Sequence, residues 1–261
     1  MAVINFIQQI WSKKIQDDLE LKCKLVDNCL RDYEGDCKYA QSVKILGVGE
    51  PTIGAYDGTK DITIEDMSDK GQILTIDQAN YFAFYVDDID QAQSVPGLKE
   101  KYQAKAVHGL AVARDTYVAE LIATAENTTP IEAMTEEGAK KAVDAAIVAL
   151  RERNFDEDGV IEMTPAFYNL FKNHLITLST NNPELIRKGV VGVYDQFDCI
   201  MSNNLKTPCD IRGKKAIAFA GQINEVEALR AEKRFKDIVR GLDTFGAKVI
   251  DNNRIQVLTT A

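Results

Sequence analysis

The run Asn154-Phe155-Asp156-Glu157-Asp158-Gly159-Val160-Ile161 holds the residues best suited to bind a cation. Its oxygen-bearing side chains, the glycine at the sixth place and the isoleucine at the eighth match the opening of an EF-hand calcium loop. The twelfth place needs a bidentate glutamate, and Pro165 stands there. A proline supplies no carboxylate and starts a helix instead, so the run reads as an acidic helix-to-strand turn. Asp87-Asp88-Ile89-Asp90 reads as acids at a helix N-terminus, where they oppose the helix dipole. His108 and His174 are the two histidines. His108 falls inside a long helix beside Gly109, with no Cys or Ser in dyad register. His174 is expected just after a short helix, facing its C-terminal dipole. Cys23, Cys29, Cys37, Cys199 and Cys209 form no C-x-x-C pair and read as reduced thiols.

Gly47-Val48-Gly49 lacks the third glycine of a dinucleotide turn, and Gly189-Val190-Val191-Gly192 lacks the Lys-Ser/Thr that holds a phosphate. No Walker, GxSxG or HExxH pattern occurs. Asn127-Thr128-Thr129 is a glycosylation sequon that needs a secretory route to matter. No catalytic, cofactor-binding or metal residue is therefore expected, and the chain is expected not to be an enzyme.

Charge is more telling. Asp57, Asp61, Glu65, Asp66 and Asp69 against two lysines make residues 57–70 acidic. Arg230, Lys233, Arg234, Lys236 and Arg240 against two acids make residues 229–240 basic. Such blocks can match across an interface. Asp57, Asp61, Glu65, Asp66, Arg230, Lys233 and Arg234 are the candidate subunit-interface residues.

The elements that must carry these blocks follow from periodicity. Phe6, Ile10, Trp11, Ile15 and Leu19 predict an amphipathic helix over residues 2–30. Val43–Val48 and Gln72–Ile76 read as two strands of a long hairpin with a polar tip, and Tyr81–Val86 as a short aromatic strand. Residues 94–126 predict a spine helix, capped by Ser94 with Pro96 in its first turn. Its expected inward stripe is Leu98, Tyr102, Ala106, Leu110, Ala113, Tyr117 and Leu121. A second helix is expected over 130–153, opened by the capping-box spacing Thr129-Pro130-Ile131-Glu132. Val160–Met163 reads as a strand, Pro165 to about Asn173 as a helix, and Asn182-Pro183 as the start of a short one. A hairpin over 190–201 turns at Asp195-Gln196, and further strands are expected at 215–220, 238–250 and 255–258. The order is α+β.

The chain has 261 residues, 45% hydrophobic, with a net charge of −9. That length suits one large domain or two joined subdomains. An acidic chain does not wrap nucleic acid through a broad basic face. No apolar run approaches the ~18 residues of a membrane span, and Met1–Trp11 lacks the charged region of a signal peptide.

Several segments resemble the coat proteins of tailed phages with the Hong Kong 97-type capsid fold. They are Ala2-Val3-Ile4-Asn5-Phe6-Ile7 with Ile10-Trp11-Ser12, and Asp32-Tyr33-Glu34-Gly35 before Val43-Lys44-Ile45. Ile76-Asp77-Gln78-Ala79 through Phe84, Val86-Asp87-Asp88 and Asp90-Gln91-Ala92-Gln93 look like the junction of that fold's extended loop and spine helix. Val226-Glu227-Ala228, Lys233-Arg234-Phe235, Gly241-Leu242 and Phe245-Gly246-Ala247-Lys248-Val249 complete the set. The likeness is weak over 127–188. It implies an N-terminal arm (1–38), an extended β-hairpin loop (39–88), a peripheral domain with the spine helix (89–126 and 223–261) and an axial domain (127–222). It further implies a major capsid protein assembling through hexamers and pentamers into an icosahedral head around double-stranded DNA, located in the virion and assembled in the host cytoplasm. The partners implied are copies of itself, a portal, and DNA held non-specifically, with no membrane and no cofactor. The chain starts at the arm, so any scaffolding protein is expected to be separate. Rival readings are an encapsulin-like nanocompartment shell of the same fold, and a soluble α+β calcium-binding protein or hydrolase.

Overall fold

Alternating apolar residues set the strands of this chain, and period-3.6 stripes set its helices. The computed structural model describes residues 23–33, 42–45, 71–87, 98–178, 191–230 and 236–260. The elements in its first half are β1 (Ser42–Ile45), β2 (Gln72–Thr75), β3 (Gln78–Asp87), α1 (Leu98–Ala123), β4 (Thr128–Ile131) and α2 (Glu136–Arg151). They are followed by β5 (Gly159–Met163), α3 (Pro165–Leu178), β6 (Val193–Tyr194), β7 (Phe197–Met201) and β8 (Cys209–Gly213). The last three are β9 (Ile217–Arg230), β10 (Lys236–Val249) and β11 (Ile255–Thr260).

Strands β1 and β2 pair antiparallel, Val43 opposite Leu74. Their buried side chains, Val43, Ile45 and Leu74, pack on Ala218 and Ala220 of β9. A three-stranded antiparallel sheet runs β3-β10-β9, and a six-stranded mixed sheet runs β4-β11-β8-β5-β7-β6. The main core lies between α1 and the first of these sheets, where Val107, Leu110, Val118 and Ile122 meet Ile217, Phe219 and Phe245. A second core lies between helices α2 and α3 and one face of the six-stranded sheet. There Val143, Ile147, Leu150, Phe167 and Phe171 meet Ile161, Met163, Cys209, Ile211 and Leu258.

Several expectations need correction. Residues 23–30, expected in a helix, form a strap with a 3-10 turn at Val26–Asn28. Leu30 of this strap bridges to Ala218. The long helix is present, about 39 Å over its 26 residues, but its buried face is rotated. Val107, Leu110, Ala111, Arg114, Asp115, Val118, Ala119 and Ile122 are buried, whereas Tyr102 is exposed. Two charged residues on the buried face misdirected the apolar stripe. Residues 128–131, expected to open a helix, form β4 beside β11 instead. Within β4 only Ile131 is buried, and Met134 beyond it is exposed. The helix starts at Glu136, where the Thr135 hydroxyl accepts from the Gly138 amide at 3.2 Å. Helix α3 continues to Leu178, so His174 lies within it, not beyond its end. Strand β8 went unrecognised, and β9 runs on to Arg230, past the expected Ala220. Strand β11 pairs within the six-stranded sheet, so sheet membership crosses the 222/223 boundary. The hairpin tip, Ser94, Pro96, Cys37, Gly47-Val48-Gly49, the helix expected at 182–183 and the arm residues before 23 lie outside the described residues.

The Asp195-Gln196 turn has both residues at positive φ, 49° and 73°, matching the twist of a two-residue hairpin joining β6 and β7. A Thr135→Ala chain is expected to lose about 1 kcal/mol of stability through its orphaned helix amide. Urea melting of the subunit checks this.

Candidate functional site

Strand β8 reads Cys209-Asp210-Ile211-Arg212-Gly213. A period of two puts Cys209 and Ile211 on one face and Asp210 and Arg212 on the other. The first pair joins the core under α2 and α3. On the opposite face, β5 places Glu162 directly across from Asp210. The side chains of Glu162, Asp210 and Arg212 are wholly buried.

Arg212 binds in two directions. Its Nε and Nη2 donate to Glu162 Oε2 and Oε1 at 3.1 and 2.8 Å. Its Nη2 also donates to the Leu25 carbonyl at 2.8 Å, and Nη1 to the Asn28 carbonyl at 2.7 Å. A longer contact joins Nη1 to Cys29 Sγ at 3.6 Å. The strap is gripped from the other side by Asp115 on α1. That carboxylate accepts from the amides of Lys24, Leu25 and Val26 at 3.0, 3.1 and 3.3 Å, and from Asn204 Nδ2 at 3.4 Å. Burial raises the Asp115 carboxyl above its ordinary range, against the pull of those amides. Residues 23–30 thus sit in a polar clasp, carbonyls toward Arg212 and amides toward Asp115. Main-chain bonds fix the end of the strap: the Leu30 amide donates to Ile217 at 2.8 Å, and the Phe219 amide donates to Leu30 at 2.9 Å.

A second buried pair ties α1 to β10. Arg114 grips Asp243 through two donors, Nη2 to Oδ1 and Nε to Oδ2, the latter at 3.0 Å. Its guanidinium lies 5.6 and 5.8 Å from the ring centres of Phe219 and Phe245, adding cation–π attraction. Asp243 sits where the β9–β10 register shifts.

The residues whose types suggested chemistry are otherwise engaged. Glu157 of the calcium-like run pairs with Arg254 at 2.6 Å, and Asn154 takes the left-handed turn, φ 59°, after α2. His108 is exposed on α1. Burial pushes Cys23 and Cys199 up to about 12 and Cys29 up to about 11. Cys209, also buried, is raised well above the ordinary thiol range. Such thiols stay protonated and are poor nucleophiles.

The β3-β10-β9 sheet has one covered and one bare face. Phe82 and Phe84 of β3 pack toward the main core. The alternate residues Tyr81 and Tyr85 are 80% and 65% exposed, and Leu242, opposite Tyr81, is 41% exposed. Ile238 lies opposite Tyr85. The β1–β2 hairpin covers only the other end of this sheet: Gln72 Nε2 donates to the Ile250 carbonyl at 2.9 Å, and Lys248 Nζ to the Ile73 carbonyl at 3.1 Å. Among the described residues β3 is an edge strand.

Of the candidate interface residues, Asp57, Asp61, Glu65, Asp66, Lys233 and Arg234 lie outside the described residues. The backbone of Arg230 ends β9 opposite Asp237. Sequence reasoning missed Arg114, Asp115, Glu162, Asp210, Arg212 and Asp243. Each interrupts an otherwise apolar helix face or strand, which is the signal that could have flagged them. Their pairing could not be read, since the partners lie 50 to 129 residues apart.

No protein-family model matches the chain, and no curated protein matches it in sequence. Solved structures do. A structure of Mycobacterium phage Che8 superposes with a TM-score of 0.74 at 25% identity, over 90% of each chain. The capsid structure of the cyanophage P-SCSP1u gives 0.74 at 16% identity, over 89% of this chain and 86% of that one. A virus-like particle from Pyrococcus furiosus gives 0.60 at 13% identity, over 97% and 99%. The fold is therefore the α+β Hong Kong 97-type capsid fold.

Proposed function

We propose that this chain builds the icosahedral head of a tailed phage, through hexamers and pentamers of itself. The observation that carries the reading is the match over nine-tenths of both chains to the Che8 structure. The bare aromatic face supports it: Tyr81, Tyr85 and Leu242 form an apolar patch that a monomer has no reason to leave open. Its occupant is the acidic segment 46–70 of a neighbouring copy. The chain's own hairpin joins that segment at the Ile250 end of the sheet, away from Tyr81 and Tyr85. Asp57, Asp61, Glu65 and Asp66 complement Arg230, Lys233 and Arg234 in charge. Head-to-tail contacts of this kind close into rings, and rings tile a shell.

The division into arm, extended loop, peripheral and axial domains belongs to the same proposal, as do location in the virion, assembly in the host cytoplasm and a structural role without catalysis. A separate scaffolding protein and a portal are its further partners. The net charge of −9 suits DNA held by confinement more than by contact.

Electron microscopy of the purified assembly with nucleic-acid absorbance tests the reading. Closed shells filled with DNA support it; closed shells filled with protein favour the nanocompartment alternative; a compact monomer at micromolar concentration overturns both. Reversing Arg230, Lys233 and Arg234 to Glu is expected to slow assembly at low salt, with the difference shrinking as salt screens the charges. Light scattering follows the rate, and an unchanged rate at low salt removes the charge-matching element.

A further inference from the structure

Neither carboxylate oxygen of the buried Asp210 accepts a hydrogen bond from any described group. The nearest cation gives it no hydrogen bond. Arg212 has five N–H donors, and they go to Glu162, the Leu25 and Asn28 carbonyls and Cys29. The Arg212 Nε stands 3.9 Å from Asp210 Oδ2, beyond hydrogen-bond reach. Two ionised acids facing each other across paired strands, with one guanidinium bonded to Glu162 and the strap, would leave an uncompensated buried charge.

We propose that Glu162 and Asp210 share one proton in the folded subunit, and that this proton latches the strap 23–30 in place. A proton on Asp210 donates to Glu162, which gives one Asp210 oxygen a partner and removes the repulsion between the two acids. The groups around it are Glu162 from β5 and Arg212 and Cys209 from β8; β11 presents apolar Val257. Burial and the Glu162 charge hold the Asp210 carboxyl well above the usual range, against the opposing pull of Arg212.

Loss of the proton requires that water reach Asp210. The opposite face of β8 is sealed by α2 and α3, whereas the near side is closed by eight residues of strap held through Arg212 and Asp115. Lifting the strap opens far less structure than parting the sheet, so it is the local opening that hydrates the acid. The sign follows from linkage. The native state holds a proton that the unfolded state releases near the ordinary carboxyl value. The latch is therefore intact at low pH, and its contribution falls as pH rises toward the raised native value. This inference stands independently of the shell reading.

Hydrogen exchange of the full chain across pH tests it, after correction for intrinsic amide rates. Strap amides are expected to lose protection by up to about tenfold per pH unit between the ordinary carboxyl value and the raised native one, and to level off above it. Amides of α2 are expected to show no such trend. In Asp210→Asn the carboxamide donates to Glu162 permanently, so the extra pH dependence is expected to vanish. Persistence of the trend in that variant overturns the proposal. Infrared spectroscopy of the unmodified chain decides the matter even if the variant fails to fold. A buried protonated-carboxyl band at neutral pH, lost at the higher pH where strap protection levels off, supports the latch, and its absence sinks it.

Discussion

Arg212→Ala is expected to destabilise the subunit by about 3–5 kcal/mol. The side chain is wholly buried and joins three elements that are remote in sequence: β5, β8 and the strap. Its removal leaves Glu162 as an unpaired buried acid beside Asp210 and strips donors from the Leu25 and Asn28 carbonyls. A domain of this kind has about 5–15 kcal/mol of total stability, so the variant approaches the threshold of folding. Urea unfolding followed by circular dichroism measures the change. Adding Glu162→Gln to the same chain is expected to recover part of it, because the orphaned charge is then gone. A loss below about 1 kcal/mol, the scale of exposed pairs, would contradict the clasp.

Gly246→Ala is expected to detach the β1–β2 hairpin and abolish closed shells while leaving the rest folded. A Cβ at this position would stand 2.1 Å from the Thr75 carbonyl oxygen and 3.0 Å from Ile76 Cα. Both are backbone atoms, so no rotamer change relieves the clash. Overpacking of this kind costs about 1–3 kcal/mol, and a two-stranded hairpin is marginal without its support. Here the support is Val43, Ile45 and Leu74 on Ala218 and Ala220. Limited proteolysis is expected to cut near the hairpin first, and electron microscopy to show open or no particles. Gly109→Ala is the control, since a Cβ there meets nothing. Wild-type shells from Gly246→Ala would show that hairpin docking is dispensable.

Local patterns made much of this architecture readable. The aromatic alternation of Tyr81–Val86 and the apolar run of Val160–Met163 announced strands. Pro165 marked a helix start, and Asp195-Gln196 a turn. What failed shares one cause: tertiary partners overrode local preference. Thr129-Pro130-Ile131-Glu132 carries a helix-opening spacing, yet β11 recruits Thr128–Ile131 as a parallel strand. Strand β8 hides because its inward face carries Asp and Arg, which look like surface until Glu162 and the strap are placed against them. The same effect turned the long helix: Arg114 and Asp115 face inward because Asp243 and the strap amides await them. The assembly residues were legible as charge blocks only, since charge runs carry no address.

Strand β11 is the last of its sheet to leave the ribosome, yet it lies between β4 and β8. Until residue 260 has emerged, both neighbours expose an unfilled row of amides and carbonyls. Nascent chains on one polysome are thus exposed to mispairing until the gap is filled. The long wait between β4 and its parallel partner makes this closure a late and slow event in biogenesis.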